Sequence, residues 1–460
     1  MLNVTATQDP RGLTVPAIDH TAAAAFETAL RQFQSYRGDP VATIDAALEA
    51  HPEFIAGHIL RAEVLITMWE RSFLPDIRGT MTTLQALAPR ATEREHAHIA
   101  AIGDWVAGDW RGMQARLDRI LDDYPTDALA LQVGHLADFY HGDRDNLRGR
   151  VARVLPHWNR DMPGYGFLLG MLAFGFEECG DYGRAEDTGR RAVELEPDDC
   201  WAHHAVTHVM EMQGRQAEGI AWMESRRDRW AQDDNGFAFH NWWHTALYNL
   251  DLGRVGPVLD IYDGAVRPSS TKIQLQMLDA AALLWRLHLQ RIDVGDRWTE
   301  LAGAYEEAAE DGFYAFNDMH AMMAFAATGR RNTAERLLRA VEDAAQGTGT
   351  NAAMTAQVGL PIVRALEAFG CERYGETVER LLPVRYRAHA FGGSHAQRDV
   401  VHRTLIEAAL RAGQHSLAHA LTIERTTLKP HCPFSWQLRR RAAAGLPDLQ
   451  RRWSTEEAVA

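Results

Sequence analysis

The chain has 460 residues, 46% of them apolar and 24% charged, which excludes a wholly disordered or collagen-like protein and leaves room for a large buried core. Its formal charge of −14 argues against nucleic acid or an anionic membrane surface as a partner. The start, MLNVTATQDPRGLTVP, lacks the basic head and apolar run of a secretory signal, and no apolar stretch approaches the roughly 20 residues that cross a bilayer. Four scattered cysteines (Cys179, Cys200, Cys371 and Cys432) make no disulfide framework, so the expected compartment is the cytoplasm.

Residues 1–18 contain Asp9-Pro10, Gly12 and Pro16 and read as an extended lead-in. From 19 to 440 the chain repeats Ala, Leu, Glu and Arg with helical periodicity, broken by short Gly, Asp and Pro steps. The expectation is one continuous all-α solenoid over 19–440 and a frayed tail over 441–460. The breaks are periodic: Gly38, Gly108, Gly142, Gly180 and Gly214 lie 70, 34, 38 and 34 residues apart. Gly253, Gly329 and Gly413 continue the series, with two irregular units needed between Gly253 and Gly329. The segment 346–351 is expected to be a mobile connection.

A period near 34 is similar to that of the tetratricopeptide repeat. The segment GDYGRAEDTGRRAVELEPDD carries the resemblance, with Gly180, Ala185, Ala192 and Pro197 in register with the repeat's Gly, Ala, Ala and Pro. The resemblance implies a superhelical stack of helix pairs whose first helices line the concave face. It also places His204, His208 and Glu211 of WAHHAVTHVME on that face, at i, i+4 and i+7.

The next first helix, FHNWWHTALYNLDLG, supplies His240, His244 and Tyr248 at similar heights. Asp279 and Arg286 stand seven residues apart on a third, and His320 lies on a fourth. In GGSHAQRDVVH, Ser394 reads as an N-cap, and His395, Arg398 and Asp399 follow on one helix. One buried histidine is more often a hydrogen-bonded packing residue than a ligand. Recurrence of histidine on the same helix of successive repeats has no packing reason, so the set points to a site.

His204, His208, His240 and His244 are the expected polar core, either holding a divalent metal ion or moving protons. Glu211 and Asp279 would orient imidazoles or accept protons. Arg286 and Arg398 would hold an anionic group. Trp201 and Trp243 would wall the pocket, with His203, Tyr248, His320, His395 and Asp399 completing it. Hydrolysis or elimination is the expected chemistry if the site is catalytic. A small polar or anionic molecule is the expected ligand, and a homo-oligomer is compatible with this reading.

WAHHAVTHVMEMQGRQAEGIAWM, FHNWWHTALYNLDLG, LLWRL with VGDRW, and GGSHAQRDVVHRTLIEAAL together resemble the tetratricopeptide repeat protein 38 family, over roughly residues 20–440. That resemblance implies the repeat fold and supplies no reaction. The competing expectation is a protein-interaction scaffold that uses the concave groove.

Overall fold

The computed structural model describes residues 5–17, 20–308 and 312–446. The ends of the expected lead-in (1–4 and 18) and most of the expected tail (447–460) lie outside the described residues. The fold is all-α, as its periodicity requires, with one addition. Thr5–Gln8 and Thr14–Ala17 pair as an antiparallel hairpin, Thr5 opposite Ala17 and Gln8 opposite Thr14. Asp9 closes the turn by accepting from the backbone N–H of Arg11 and of Leu13, an Asx arrangement that the Asp-Pro step makes available.

The helices come in consecutive pairs. Tyr165–Glu178 packs on Tyr182–Leu195, Glu93–Val106 on Trp110–Asp123, and Leu360–Gly370 on Tyr374–Leu381. All eight glycines that set the sequence period have positive φ, the left-handed conformation that ends a helix and lets the chain turn back. The same conformation occurs where the period lacks a glycine. Trp69 (φ 53°) lies between Gly38 and Gly108, Arg291 (φ 58°) between Gly253 and Gly329, and Glu372 (φ 60°) between Gly329 and Gly413. Arg291 stands 38 residues from both of its glycines. Its N–H bonds the carbonyl of His288, and that of Ile292 bonds Leu287, the paired bonds of a Schellman ending. A side chain in this conformation costs about 1–2 kcal/mol.

Two compact units emerge. The first comprises 1–206, 227–238 and 346–354; the second comprises 207–226, 239–345 and 355–460. The division falls inside the Cys200–Met212 helix. Within the first unit Trp69, Trp105, Trp110 and Tyr140 form one buried aromatic cluster, with Trp69 and Tyr140 stacked at 4.5 Å. Segment 346–351 belongs to this unit and is tied down. The Thr350 N–H donates to the Gly108 carbonyl at 2.9 Å, and its hydroxyl accepts from the Arg111 N–H at 3.2 Å. The expected mobile connection is therefore a docked one. Its Gly/Thr/Asn composition suits close approach to another backbone as well as it suits a free loop.

Within the second unit Gln274–Leu289 is the central helix. It packs against Ala315–Thr328 and His395–Arg411, and 13 of its 16 residues are buried. A helix buried all round has no solvated face, so its Asp279 and Arg286 must find protein partners.

Gly214 (φ +73°) tests the frame of this unit. A Cβ there would lie 2.6 Å from the carbonyl carbon of His431 and 2.7 Å from the nitrogen of Cys432, whereas one at Gly253 (φ +75°) would meet nothing within 4 Å. Gly253→Ala is expected to cost about 1–2 kcal/mol, and Gly214→Ala about 2–4 kcal/mol. Denaturant unfolding of both variants measures the difference. Equal losses would mean that the His431–Cys432 backbone does not bear on Gly214.

Candidate functional site

Three histidines meet inside the second unit. His208 comes from the Cys200–Met212 helix, and His240 and His244 lie one turn apart on Ala238–Asp251. The rings of His208 and His244 have centroids 4.5 Å apart, and those of His240 and His244 4.9 Å. Each offers a ring nitrogen, and these nitrogens lie within 4.8 Å of one another. All three side chains are buried.

Carboxylates back two of them. Nδ1 of His240 bonds Oδ2 of Asp279 at 2.6 Å, and Nδ1 of His244 bonds Oε2 of Glu211 at 3.1 Å. A carboxylate at Nδ1 selects the tautomer with its proton there and its lone pair on Nε2. Burial, followed by the charges of His240, Arg286 and Lys429, holds His244 well below the ordinary histidine range, so it is neutral at pH 7. Trp243 stacks on His240 at 5.3 Å and meets His244 edge-on at 4.9 Å.

Behind the histidines runs a chain of buried charge. Oε1 of Glu211 accepts from Lys429 Nζ at 3.3 Å. Burial opposes the charge on Lys429, but Glu211 and Asp399 outweigh it and raise its pKa. Arg403 donates to Asp251 at 2.6 Å and to Asp399 at 2.7 Å, and Arg425 also pairs with Asp399. Burial pushes Asp399 upward, yet Arg425, Lys429 and Arg403 hold it well below the usual carboxylate range. Arg286 is the exception, because its hydrogen bonds go to backbone carbonyls: Ala282 at 2.8 Å and Ala396 at 2.6 Å. Burial, and then Arg403, lowers it to about 10.

The Arg286–Ala396 bond joins the 395–399 segment to the central helix. Ser394 caps that segment in a reciprocal capping box with Gln397, as the sequence suggests. Arg398 turns back to the Gly393 carbonyl, and His395 is half-buried at the first turn. Tyr248 donates its hydroxyl to the Thr207 carbonyl at 2.6 Å. His320 bonds the Phe316 carbonyl at 2.8 Å, and burial pushes it down to about 3.

The remaining predicted residues are described in the first unit. Trp201 donates to Nε2 of His135 at 3.2 Å. His204 packs its ring on Phe174, Trp201 and Phe237 at 5.0–5.3 Å, one turn ahead of His208 on its helix. His203 bonds the Pro197 carbonyl at 2.9 Å. This unit has a polar centre of its own that periodicity did not single out: His98 sits between Glu63 (2.7 Å) and Asp127 (3.2 Å), and Arg94 is on Asp127 at 2.7 Å. Asp251, Arg403, Arg425 and Lys429 were missed as well. Only the i, i+4 spacing of Asp399 and Arg403 could have pointed to one of them.

No family model matches the chain. Solved structures of similar fold include a human IFIT1 dimer with PPP-AAAA, at 13% identity over 91% of this chain and 98% of that one, TM-score 0.42. The yeast Tom70 crystal structure is 14% identical over 94% and 88% of the two chains, TM-score 0.35. The paired helices and their left-handed glycine ends make the fold class a tetratricopeptide-like repeat solenoid, and the likeness to these structures is one of fold. It corrects one expectation. The human IFIT1 dimer is solved with m7Gppp-AAAA and with PPP-AAAA, which stands against the expectation of no nucleic-acid partner. Net charge averages over a whole surface, whereas recognition depends on local charge. No helix among the described residues is long and apolar enough to cross a membrane.

The buried histidines fix how stability responds to acid. His135, His141 and His320 are pushed down to about 3, chiefly by burial, and His244 well below its ordinary value. Their unfolded value is about 6.5, so the unfolded state binds more protons as pH falls below it. At pH 4.5 each of the three costs roughly 2–3 kcal/mol. His98 has the opposite sign. Burial opposes its charge, but Glu63 and Asp127 carry it up to about 10, so its contribution is complete below pH 6.5 and lost as pH rises toward 10. The melting temperature is expected to fall steeply from pH 6.5 to 4 and gently above pH 7. His320→Gln should flatten only the acid limb, as thermal melts across pH will show; an unchanged acid slope would remove His320 from that role.

Proposed function

We propose that the protein binds a small polar or anionic molecule at a metal-dependent centre built on His208, His240 and His244. The observation that carries this reading is the pair of carboxylate-backed imidazoles, His240–Asp279 and His244–Glu211, converging with His208. Three imidazoles, with no thiolate among them, suit Zn²⁺ first and Fe, Ni or Mn next. A bound ion would supply Lewis-acid chemistry and a reactive hydroxide at neutral pH.

The chain's own residues do the rest. Asp279 and Glu211 orient the rings, Lys429 balances the charge on Glu211, and Trp243 walls off water. Arg286 is the cation placed to take an anionic group. Hydrolysis or elimination fits this set better than electron transfer. The chain is further proposed to be a cytoplasmic member of the tetratricopeptide repeat protein 38 family, on the phrases quoted above. The scaffold reading has exposed apolar side chains in its favour, Tyr386 and Leu428 at 67% and 68% exposure. Those positions lie on the surface and leave the buried histidines without a purpose.

Elemental analysis of purified protein, followed by Zn²⁺ titration, tests the centre. His208→Ala or His244→Ala should abolish stoichiometric metal, while Asp279→Asn and Glu211→Gln should weaken it about 10–100-fold. The i, i+4 pair His415/His419 is the control, and its double alanine variant should keep the metal. Wild-type protein that neither carries nor takes up a divalent ion would end the metal reading and leave proton transfer by His244–Glu211 as the alternative.

A further inference from the structure

A second feature of the second unit is a cavity of about 420 Å³, lined by Arg286, Arg291, Arg403 and Arg441 with Glu407 and, on its apolar side, Leu289, Phe434 and Leu438. Four guanidinium groups around one small space are unexpected in a protein of net charge −14. Their balancing carboxylates are only partly sufficient. Glu407 is shared between Arg411 and Arg441. Deeper in, Arg403 pairs with Asp251 and Asp399, Arg425 with Asp399, and Lys429 with Glu211. Arg286 differs from these three, because its hydrogen bonds go to the backbone carbonyls of Ala282 and Ala396. Nε of Arg286 and Nη1 of Arg403 are buried and have no hydrogen-bond partner among the described residues. An isolated buried cation is costly, and an anion beside it removes that cost.

The mouth adds an independent observation. Arg291 is exposed and holds the left-handed conformation that glycine holds at the corresponding ends of other helices, Gly214, Gly253 and Gly329 among them. A glycine would serve the turn better. An arginine kept there points to a use for its side chain, which lines the cavity.

We propose that this cavity binds an organic anion, with a phosphate or carboxylate held by Arg286 and Arg403, Arg291 and Arg441 drawing it in, and an apolar body resting on Phe434 and Leu438. The volume suits a group of small-ligand size. Arg286 also lies 5.3 Å over the ring of Trp243, the wall of the histidine centre, so an anion here would sit next to that centre. The inference stands on the cavity and its charges and does not require the metal.

Calorimetric titration of the full chain with phenyl phosphate, benzoate and neutral phenol tests it, with and without EDTA so that loss of a metal is read separately. Either anion, or both, is expected to bind well below about 10 mM while phenol does not. Arg286→Met should weaken binding about tenfold or more. Gln437→Glu, an exposed position on the cavity rim, puts a carboxylate at the mouth and should weaken it severalfold without disturbing the core. Arg291→Gly is the most discriminating variant. A purely structural Arg291 predicts a higher melting temperature with unchanged binding, whereas the proposal predicts an unchanged or higher melting temperature with binding weakened severalfold. Phenol binding as tightly as the anions, no anion binding up to about 10 mM, or wild-type affinity in both Gln437→Glu and Arg291→Gly would overturn the proposal. If Arg286→Met does not fold, the two rim variants decide.

Discussion

Burying a charge costs several kcal/mol unless partners surround it, and the Gln274–Leu289 helix buries both an aspartate and an arginine. Much of the second unit follows from that constraint. Asp279 is met by His240 from Ala238–Asp251. Arg286 is met by the Ala396 carbonyl, which the Ser394 capping box presents at the start of His395–Arg411. His395–Arg411 in turn brings Asp399 and Arg403, which require Asp251 and Arg425. Each partner is itself a buried charge, so the network extends until Lys429 closes it on Glu211. An apolar core of the same volume would be at least as stable. The polar network is therefore weak evidence of stability, and its charges hold one another in place.

The helical-repeat architecture was legible because its signals are local. A glycine that ends a helix, an alanine at a tight contact and an amphipathic period each act within a few residues, and Gly180 with Ala185, Ala192 and Pro197 shows all of them. The hairpin at Thr5–Gln8 and Thr14–Ala17 was not legible, because two four-residue strands carry too little pattern to separate from an extended lead-in. The docked segment around Thr350 was missed for a similar reason. Its partner, Gly108, is 242 residues away in sequence, and loop-like composition does not reveal such contacts.

The candidate site was legible in part. Helical spacing singled out Glu211 and Asp279 as carboxylates that would orient imidazoles, but which one meets which, His240 with Asp279 and His244 with Glu211, only the packing decides. Lys429, Arg425 and Asp251 were not singled out. They lie near helix ends, and their pairing depends on how the last helices pack back onto the central one, which no period encodes. Spacing could also not separate residues that face a common centre from those satisfied locally. Tyr248 and His320 have the right helical positions, yet each bonds a nearby backbone carbonyl.

Departures from the repeat deserve a physical reading of their own. Trp69, Arg291 and Glu372 take the left-handed conformation in gaps of the glycine series. The glycine series alone skips units; with these three residues the succession of left-handed helix ends fills its gaps. For Trp69 the compensation is visible, because its ring is buried and stacked on Tyr140, and packing of that extent outweighs a cost of about 1–2 kcal/mol. Arg291 is exposed and has no such packing. It lines a cavity together with three other arginines, Arg286, Arg403 and Arg441. A repeat can lose its glycine where the new side chain gains more elsewhere than the turn loses. In Trp69 that gain lies in the core, whereas Arg291 stands in the lining of a cavity.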